Sequence, residues 1–255
     1  MRLIIDGNVI LMTSIFVWRK NRNIPISYYF CLQLFKYLKK HQPKEVYIVA
    51  DGGASWRKSI YPEYKANRKP FRESFPDIPW DKIFKEYDKL LRNIQSFTPF
   101  KVFKIEHIEG DDIISYLCST KDSNQKAIVV TKDKDLLQLL YLPNVEIHIP
   151  QPKGKVKVYN ILEEDIVNKK IRLGDKSDNI PKATSFSEVV RNQILVDLMS
   201  LPSSILSCIS NAENSIRKDP SQYLTFLKVY PYKFLAKVYK DIIKNLSKEE
   251  VEKDE

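Results

Sequence analysis

Three short apolar runs in this sequence each lead into aspartate: Leu3-Ile4-Ile5 into Asp6, Val46-Tyr47-Ile48-Val49-Ala50 into Asp51, and Ala127-Ile128-Val129-Val130 into Asp133 and Asp135. Two further clusters, Glu109-Gly110-Asp111-Asp112 and Gly174-Asp175-Lys176-Ser177-Asp178-Asn179, stand just before apolar or helical stretches. If the runs are neighbouring parallel strands, their carboxyl ends open on one pocket, where open α/β sheets hold their ligands. A chain of net charge +10 has no electrostatic reason to gather carboxylates unless a cation holds them. Hard carboxylate oxygens select Mg²⁺ or Mn²⁺ over zinc. Two such ions about 4 Å apart hydrolyse phosphodiesters, one helping to ionise the attacking water and both stabilising developing oxyanion charge. A lone aspartate at such a position is more often a helix cap. Five clusters at strand ends exceed what capping alone explains.

The elements that must position these residues follow an α/β order. Residues 2–6 and 45–50 read as buried parallel strands, with an amphipathic stretch from Ile26 to Lys40 between them. From Gly52 to about Phe100 the chain interleaves Arg57, Lys58, Lys65, Arg68, Lys69 and Arg72 with aromatic residues and prolines, a pattern too polar and too punctuated for core. Strand and helix then alternate again: a strand at Lys101 to Ile105, a helix from Asp111 to Ser119, a strand at Ala127 to Val130 and a helix at Lys134 to Tyr141. Val145 to Ile149 and Lys155 to Tyr159 flank Pro150, Pro152 and Gly154 as a hairpin. Beyond Glu163 the pattern is helical, with Val189 to Met199, Tyr223 to Val229 and Phe234 to Leu246 as the clearest segments, before a charged tail from Ser247 to Glu255.

With 255 residues and 43% hydrophobic content the chain can bury a sizeable core. Its basic excess points to a polyanionic partner. Cys31, Cys118 and Cys208 are odd in number, far apart and set in apolar runs, which fits buried thiols and neither a disulfide framework nor a zinc motif. Asp6 and Asn8 interrupt the apolar N-terminus, so it does not read as a signal peptide. No stretch offers the roughly 20 apolar residues of a spanning helix. A cytoplasmic protein is expected.

Taken together and in order, Ile4-Ile5-Asp6-Gly7-Asn8, Val49-Ala50-Asp51-Gly52, Tyr64-Lys65-Ala66-Asn67-Arg68, Glu109-Gly110-Asp111-Asp112, Thr131-Lys132-Asp133-Lys134-Asp135 and Gly174-Asp175-Lys176-Ser177-Asp178-Asn179-Ile180-Pro181 resemble the 5′-nuclease family. That family includes the flap endonucleases, the 5′-exonuclease domain of bacterial DNA polymerase I and the phage enzymes called RNase H. The likeness spans residues 2 to 181. It implies an α/β, PIN-like (Rossmann-like) fold with a mostly parallel sheet, a helical arch and a helical C-terminal DNA-binding region. Residues 1–160 would be the catalytic domain, with the arch at about 53–99, and residues 161–255 a helix-turn-helix-like region that binds duplex DNA.

By the same resemblance Asp6, Asp51, Glu109, Asp111, Asp112, Asp133, Asp135, Asp175 and Asp178 fall at metal-site positions for two Mg²⁺ or Mn²⁺ ions. Lys65 and Arg68 correspond to catalytic cations of the arch. Three residues apart, they would share one helical face and grip the scissile phosphate. Tyr64 would stack on an unpaired base, with Lys69 beside it as a nucleic-acid contact. The implied activity is metal-dependent 5′-3′ exonuclease or flap endonuclease cleavage of 5′ flaps, nicked or 5′-ended DNA and RNA primers in replication or repair. DNA, an RNA–DNA hybrid and replication proteins are the implied partners of a monomer.

One segment departs from the family pattern. After Ile180-Pro181 the family continues with a glycine-rich hairpin that holds potassium and a duplex phosphate, whereas this chain reads Lys182-Ala183-Thr184-Ser185-Phe186-Ser187. Without glycine such a tight amide-lined turn is disfavoured, which puts a K⁺ site in doubt. Lys176, Lys182, Arg191 and the hydroxyls of Thr184 and Ser185 are the expected substitutes. Two alternatives remain beside the 5′-nuclease: a PIN-like ribonuclease, which usually lacks the arch and the Gly-Asp-x-x-Asp-Asn segment, and a catalytically silent DNA-binding relative.

Overall fold

Apolar residues on both faces of the central strands dictate a sheet covered on each side. In the computed structural model, which describes residues 1–53, 55–67, 71–216 and 223–232, these runs form β1 (Arg2–Asp6), β2 (Glu45–Val49), β3 (Lys101–Phe103), β4 (Ala127–Val130), β5 (Val145–Pro150) and β6 (Val156–Tyr159). They make one sheet in the order β3-β2-β1-β4-β5-β6, parallel throughout except for the antiparallel β5–β6 hairpin. The expected mostly parallel α/β sheet and the expected hairpin are both present.

The helices are α1 (Gly7–Trp18), α2 (Ile26–His41), α3 (Trp80–Phe97), α4 (Gly110–Ser119), α5 (Ile166–Leu173), α6 (Phe186–Val196), α7 (Ser203–Ser215) and α8 (Tyr223–Val229). Leu3, Ile5, Val46, Ile48, Ile128 and Val130 face one core with side chains of α1, α2, α3 and α8. The alternate residues Ile4, Tyr47, Val49, Ala127 and Val129 face a second core with α4, α7 and the segment after β4. A period of two along each strand thus builds both cores from the same few residues.

The strand order reverses between β1 and β4, because the chain leaves β1 toward β2 and β3 and returns on the other side. Loops diverge at such a point and leave a crevice at the carboxyl ends of the two strands. Gly52 lets a second loop cross there: a Cβ on it would lie 1.5 Å from the Ile105 carbonyl oxygen. Gly174, at φ +77°, begins a loop that is closed by paired backbone hydrogen bonds between Asp175 and Ile180.

Several expected elements differ. The stretch from Gly52 to Phe100 is not outside the core throughout, since α3 buries Ile83, Tyr87, Leu90, Leu91 and Ile94 between α2, β3 and α8. Its charged residues at intervening positions mask a strongly amphipathic helix. Residues 62–67 are turns rather than helix, and Lys65 takes φ +58°. The helix expected over 134–141 is a 3₁₀-helix at Asp135–Tyr141. The helix expected at Val189 begins at Phe186 and ends at Val196, and α1 and α7 were not anticipated. Arg68, Lys69, the helix expected over Phe234 to Leu246 and the charged tail lie outside the described residues.

The burial of α3 makes a simple forecast. Ile94, 0% exposed, should cost about 2–5 kcal/mol when truncated to alanine, while Lys89→Ala on the exposed face of the same helix should stay within about 0.5 kcal/mol. Urea unfolding of the two variants measures both, and equal costs would show that α3 is not core.

Candidate metal centre

Four chain segments bring carboxylates to the crevice, and three of them are aimed by hydrogen bonds from backbone N–H groups. Asp6 ends β1 and caps α1: its Oδ1 accepts from the backbone N–H groups of Asn8 and Val9 at 3.1 and 3.3 Å, while Oδ2 accepts from the Thr131 hydroxyl at 2.9 Å. Asp51, just beyond β2, accepts from the Gly110 N–H at 2.8 Å and from the Asn8 side-chain amide. Past β4, the Asp133 N–H donates to Thr131 Oγ1 at 3.0 Å, and Asp133 Oδ1 accepts from the Asp135 N–H at 2.8 Å. Glu109 and Asp111 arrive at the N-terminus of α4, whose dipole favours negative charge.

Together Asp6, Asp51, Glu109, Asp111 and Asp133 line an open cleft of about 540 Å³, with Asn8, Gly53, Lys65 and Lys132 completing its wall. Five carboxylates face two ammonium groups. The imbalance registers in their proton affinities. Burial, and then the nearby Asp51 and Asp133, push the Asp6 carboxyl up to about 6 against the opposing Thr131 hydrogen bond. Burial followed by Asp133 and Asp6 drives Asp111 well above the ordinary carboxylate range.

A second acidic group adjoins the first. Asp135, Asp175 and Asp178 each offer an oxygen within 4.8 Å of the others, and Glu109 and Asp111 border the small cavity next to them. Lys170 bridges Asp135 and Asp175. Burial works against the charge of Asp175, but Lys170 and Ser177 outweigh it and hold that carboxyl below its usual value. Burial and Asp133 instead raise Asp135. All-oxygen donors, uncompensated negative charge and mutual repulsion make the arrangement consistent with a divalent metal site.

Asp112 does not join either group. Its side chain is 0% exposed, and Arg57, itself 1% exposed, holds it with Nη2 to Oδ1 at 2.7 Å and Nη1 to Oδ2 at 3.0 Å. Trp56 Nε1 donates to the same Oδ2 at 2.8 Å. Asp112 is therefore a structural anion paired within the protein, not a ligand of the cleft. Arg57 also donates to Glu109 Oε2 at 2.8 Å and to the Leu195 carbonyl at 2.9 Å. Burial works against the charge of Glu109, and Lys65 and Arg57 together overcome it, keeping that carboxyl below its usual value.

The remaining expected residues divide in the same way. Lys65 lines the cleft and pairs with Glu109 and, at 3.9 Å, with Asp178. Tyr64 is 3% exposed and donates to Asp178 at 3.1 Å, so it is not positioned to stack on a base. Thr184 and Ser185 are engaged locally: Glu188 Oε2 accepts from the Thr184 N–H and hydroxyl at 2.7 Å each and from the Ser185 N–H at 3.2 Å, while Ser185 Oγ accepts from the Glu188 N–H at 3.3 Å. This capping box takes up the hydroxyls expected to hold duplex. Arg191 lies 4.9 Å from the Tyr61 ring centroid and donates to Asn192, while Lys176 and Lys182 are exposed.

Arg57, Asn8, Thr131 and Lys170 hold the site together and had no role assigned from sequence. Asn8 and Thr131 sat inside the quoted motifs. Arg57 carried no signal beyond its place beside Trp56.

The model of the family described as 5′-3′ exonuclease, N-terminal resolvase-like domain, matches residues 1–172. A 5′-3′ exonuclease of Mycoplasmopsis pulmonis is 30% identical over 89% of this chain and 78% of its own length. DNA polymerase I of Caldicellulosiruptor bescii is 30% identical over 98% of this chain, which spans only 30% of the polymerase. In fold the chain resembles a bacteriophage T5 flap endonuclease solved as a pseudo-enzyme–product complex with DNA and metal ions, with a TM-score of 0.57 at 17% identity, covering 96% of this chain and 99% of that one. The fold is thus the PIN-like resolvase type.

Neighbouring aspartates with opposite environments should respond oppositely to neutralisation. Asp112→Asn leaves the buried Arg57 with Glu109 as its remaining anion among the described residues and should cost about 3–5 kcal/mol of folding stability. Asp111→Asn removes a repelling charge and should leave the metal-free protein at least as stable as the wild type, while reducing the stabilisation gained on adding Mg²⁺. Thermal unfolding in EDTA and in MgCl₂ reads both, and equal losses in EDTA would contradict the division.

Proposed function

This chain belongs to the family of 5′-3′ exonuclease N-terminal resolvase-like domains, and we propose that it is a divalent-metal-dependent 5′-nuclease hydrolysing phosphodiesters of 5′ flaps, nicked or 5′-ended DNA and RNA primers. The cleft of Asp6, Asp51, Glu109, Asp111 and Asp133 beneath Lys65 carries the reading. These residues would hold one Mg²⁺ or Mn²⁺ ion, and Asp135, Asp175 and Asp178 a second. When bound, such ions lower the pKa of an attacking water and neutralise charge on the transferred phosphoryl group.

The protein's own groups supply positioning. Thr131 and Asn8 fix Asp6 and Asp51 before substrate arrives, so little reorganisation is needed at the reacting centre. Lys65 is held at positive φ by its N–H bond to the Asp178 carbonyl, 2.8 Å long. A non-glycine residue there costs about 1–2 kcal/mol, and such strain is retained where the surroundings fix it. Its ammonium stands at the wall of the cleft, where a phosphate oxygen can replace Glu109 as its partner and charge developing on that oxygen is offset. Arg68 would add a second cation from the same segment.

The polymerase and T5 relatives support a DNA substrate and a replication setting, as does the +10 charge of the chain. Residues 161–255 are proposed to engage the duplex through Lys176, Lys182 and Arg191, with the protein acting as a cytoplasmic monomer.

Asp133→Asn keeps the shape of the side chain and withdraws charge from the cleft. It should abolish cleavage of a 5′-labelled flap in MgCl₂ while leaving flap binding in CaCl₂ within about threefold. Wild-type cleavage by this variant would refute the assignment, and cleavage of single-stranded RNA in preference to the flap would favour a ribonuclease.

Because Glu188 occupies the amides of Thr184 and Ser185 just ahead of α6, duplex binding should show no preference for potassium. Anisotropy titrations of an uncleaved duplex flap in KCl, NaCl and tetramethylammonium chloride at equal ionic strength should coincide and weaken steeply with each salt. A gain specific to KCl would disprove this.

A further inference from the structure

Beside the metal cleft lies a second groove of about 610 Å³ between α1, α2 and the turn that joins β5 to β6. Val9 and Lys132 line both spaces, so the two are continuous. We propose that this groove binds a single-stranded segment of the substrate adjoining the scissile phosphate. The proposal rests on the nuclease reading for the identity of its ligand, and on the groove alone for its chemistry.

Lys36, Lys40, Lys132 and Lys155 stand exposed around the groove, and no acidic residue lines it. Some exposed lysines elsewhere pair with acidic neighbours, as in Lys104–Asp88, Lys126–Glu146 and Lys169–Glu164, each at 2.6 Å. Among the described residues none of the four groove lysines has such a pair. Lys36 and Lys40 are also four residues apart on α2, where like charges destabilise a helix by a few tenths of a kcal/mol. A row of unpaired cations maintained against that cost fits a polyanion.

The floor decides which polyanion. Val9 and Val17 from α1, Tyr37 from α2 and Val156 from β6 give the groove an apolar base partly open to solvent. A single strand can lay bases on that surface and phosphates against the lysine rim. A duplex presents its phosphates outward and leaves such a floor unused.

The test compares Lys36→Ala/Lys40→Ala/Lys155→Ala with Lys82→Ala/Lys85→Ala/Lys89→Ala, which removes equal charge from the exposed face of α3. Anisotropy of a labelled 20-nucleotide oligo-dT and of a 20-base-pair duplex is followed across NaCl concentrations in EDTA, with thermal unfolding as a check on folding. The groove variant should bind oligo-dT about tenfold or more weakly, and its slope of log K against log salt should be smaller by about 2, near 0.7 for each lysine. The α3 variant should stay close to wild type. Equal losses in both variants, an unchanged salt slope, or a loss confined to the duplex would each overturn the proposal. Cleavage plays no part in this measurement, so inactivity of the protein as a nuclease would leave the result readable.

Discussion

Carboxylates crowded at the ends of adjacent strands repel one another, and the protein can hold them there only by supplying fixed positive charge where no solvent reaches. Arg57 meets that constraint from inside. Its guanidinium satisfies both oxygens of Asp112, one oxygen of Glu109 and the carbonyl of Leu195. A planar fork of donors suits such a convergence, and a lysine could not reproduce it. Through these bonds the start of α4 is pinned to the end of α6, so the helices after Glu163 are fastened to the sheet by the same residue that neutralises Asp112. What Arg57 does not neutralise is the set facing the cleft, and that remainder is what a divalent ion would complete.

The choice between helix cap and metal ligand dissolves once individual oxygens are followed. Asp6 uses Oδ1 to cap α1 and turns Oδ2 toward Thr131; Asp51 uses Oδ1 to hold the first residue of α4 and Oδ2 to hold Asn8. Capping is what orients these carboxylates, in the same way that hydrogen bonds behind a metal ligand fix its direction. A chain of contacts from Asp6 through Thr131 to Asp133 and on to Asp135 crosses the point where the strand order reverses. The fold therefore delivers side chains from β1 and β4 to one place with their geometry set in advance.

Much of this was legible in the sequence because it depends on period and position. Apolar runs ending in aspartate specify parallel strands with carboxylates at their carboxyl ends. Other features depend on partners far along the chain. Asp111 and Asp112 are adjacent and chemically identical, yet one faces the cleft and the other meets Arg57, since successive helical residues point about 100° apart. Tyr64 reads as an exposed aromatic among cations but is buried with Ile180 and Leu195. The amphipathic pattern of α3 was hidden by the lysines and prolines around it.

The opening of α6 shows how one acidic residue redistributes the protein's attraction for phosphate. Free amides at a helix N-terminus form a directional anion site. Just ahead of α6, Glu188 occupies the amides of Thr184 and Ser185 with its own carboxylate, which stabilises the helix and places negative charge beside that site. Attraction for a nucleic acid must then come from side-chain cations, which reach farther, tolerate more geometries and are screened by salt. Lys65 and Lys132 at the cleft, and Lys36, Lys40 and Lys155 beside it, lie on the side of the molecule where the sheet presents its carboxylates or directly adjoining it. In the proposed function, a phosphodiester drawn by those lysines would meet the acidic cleft with its charge offset by metal, so that attraction and discrimination would be divided between neighbouring surfaces.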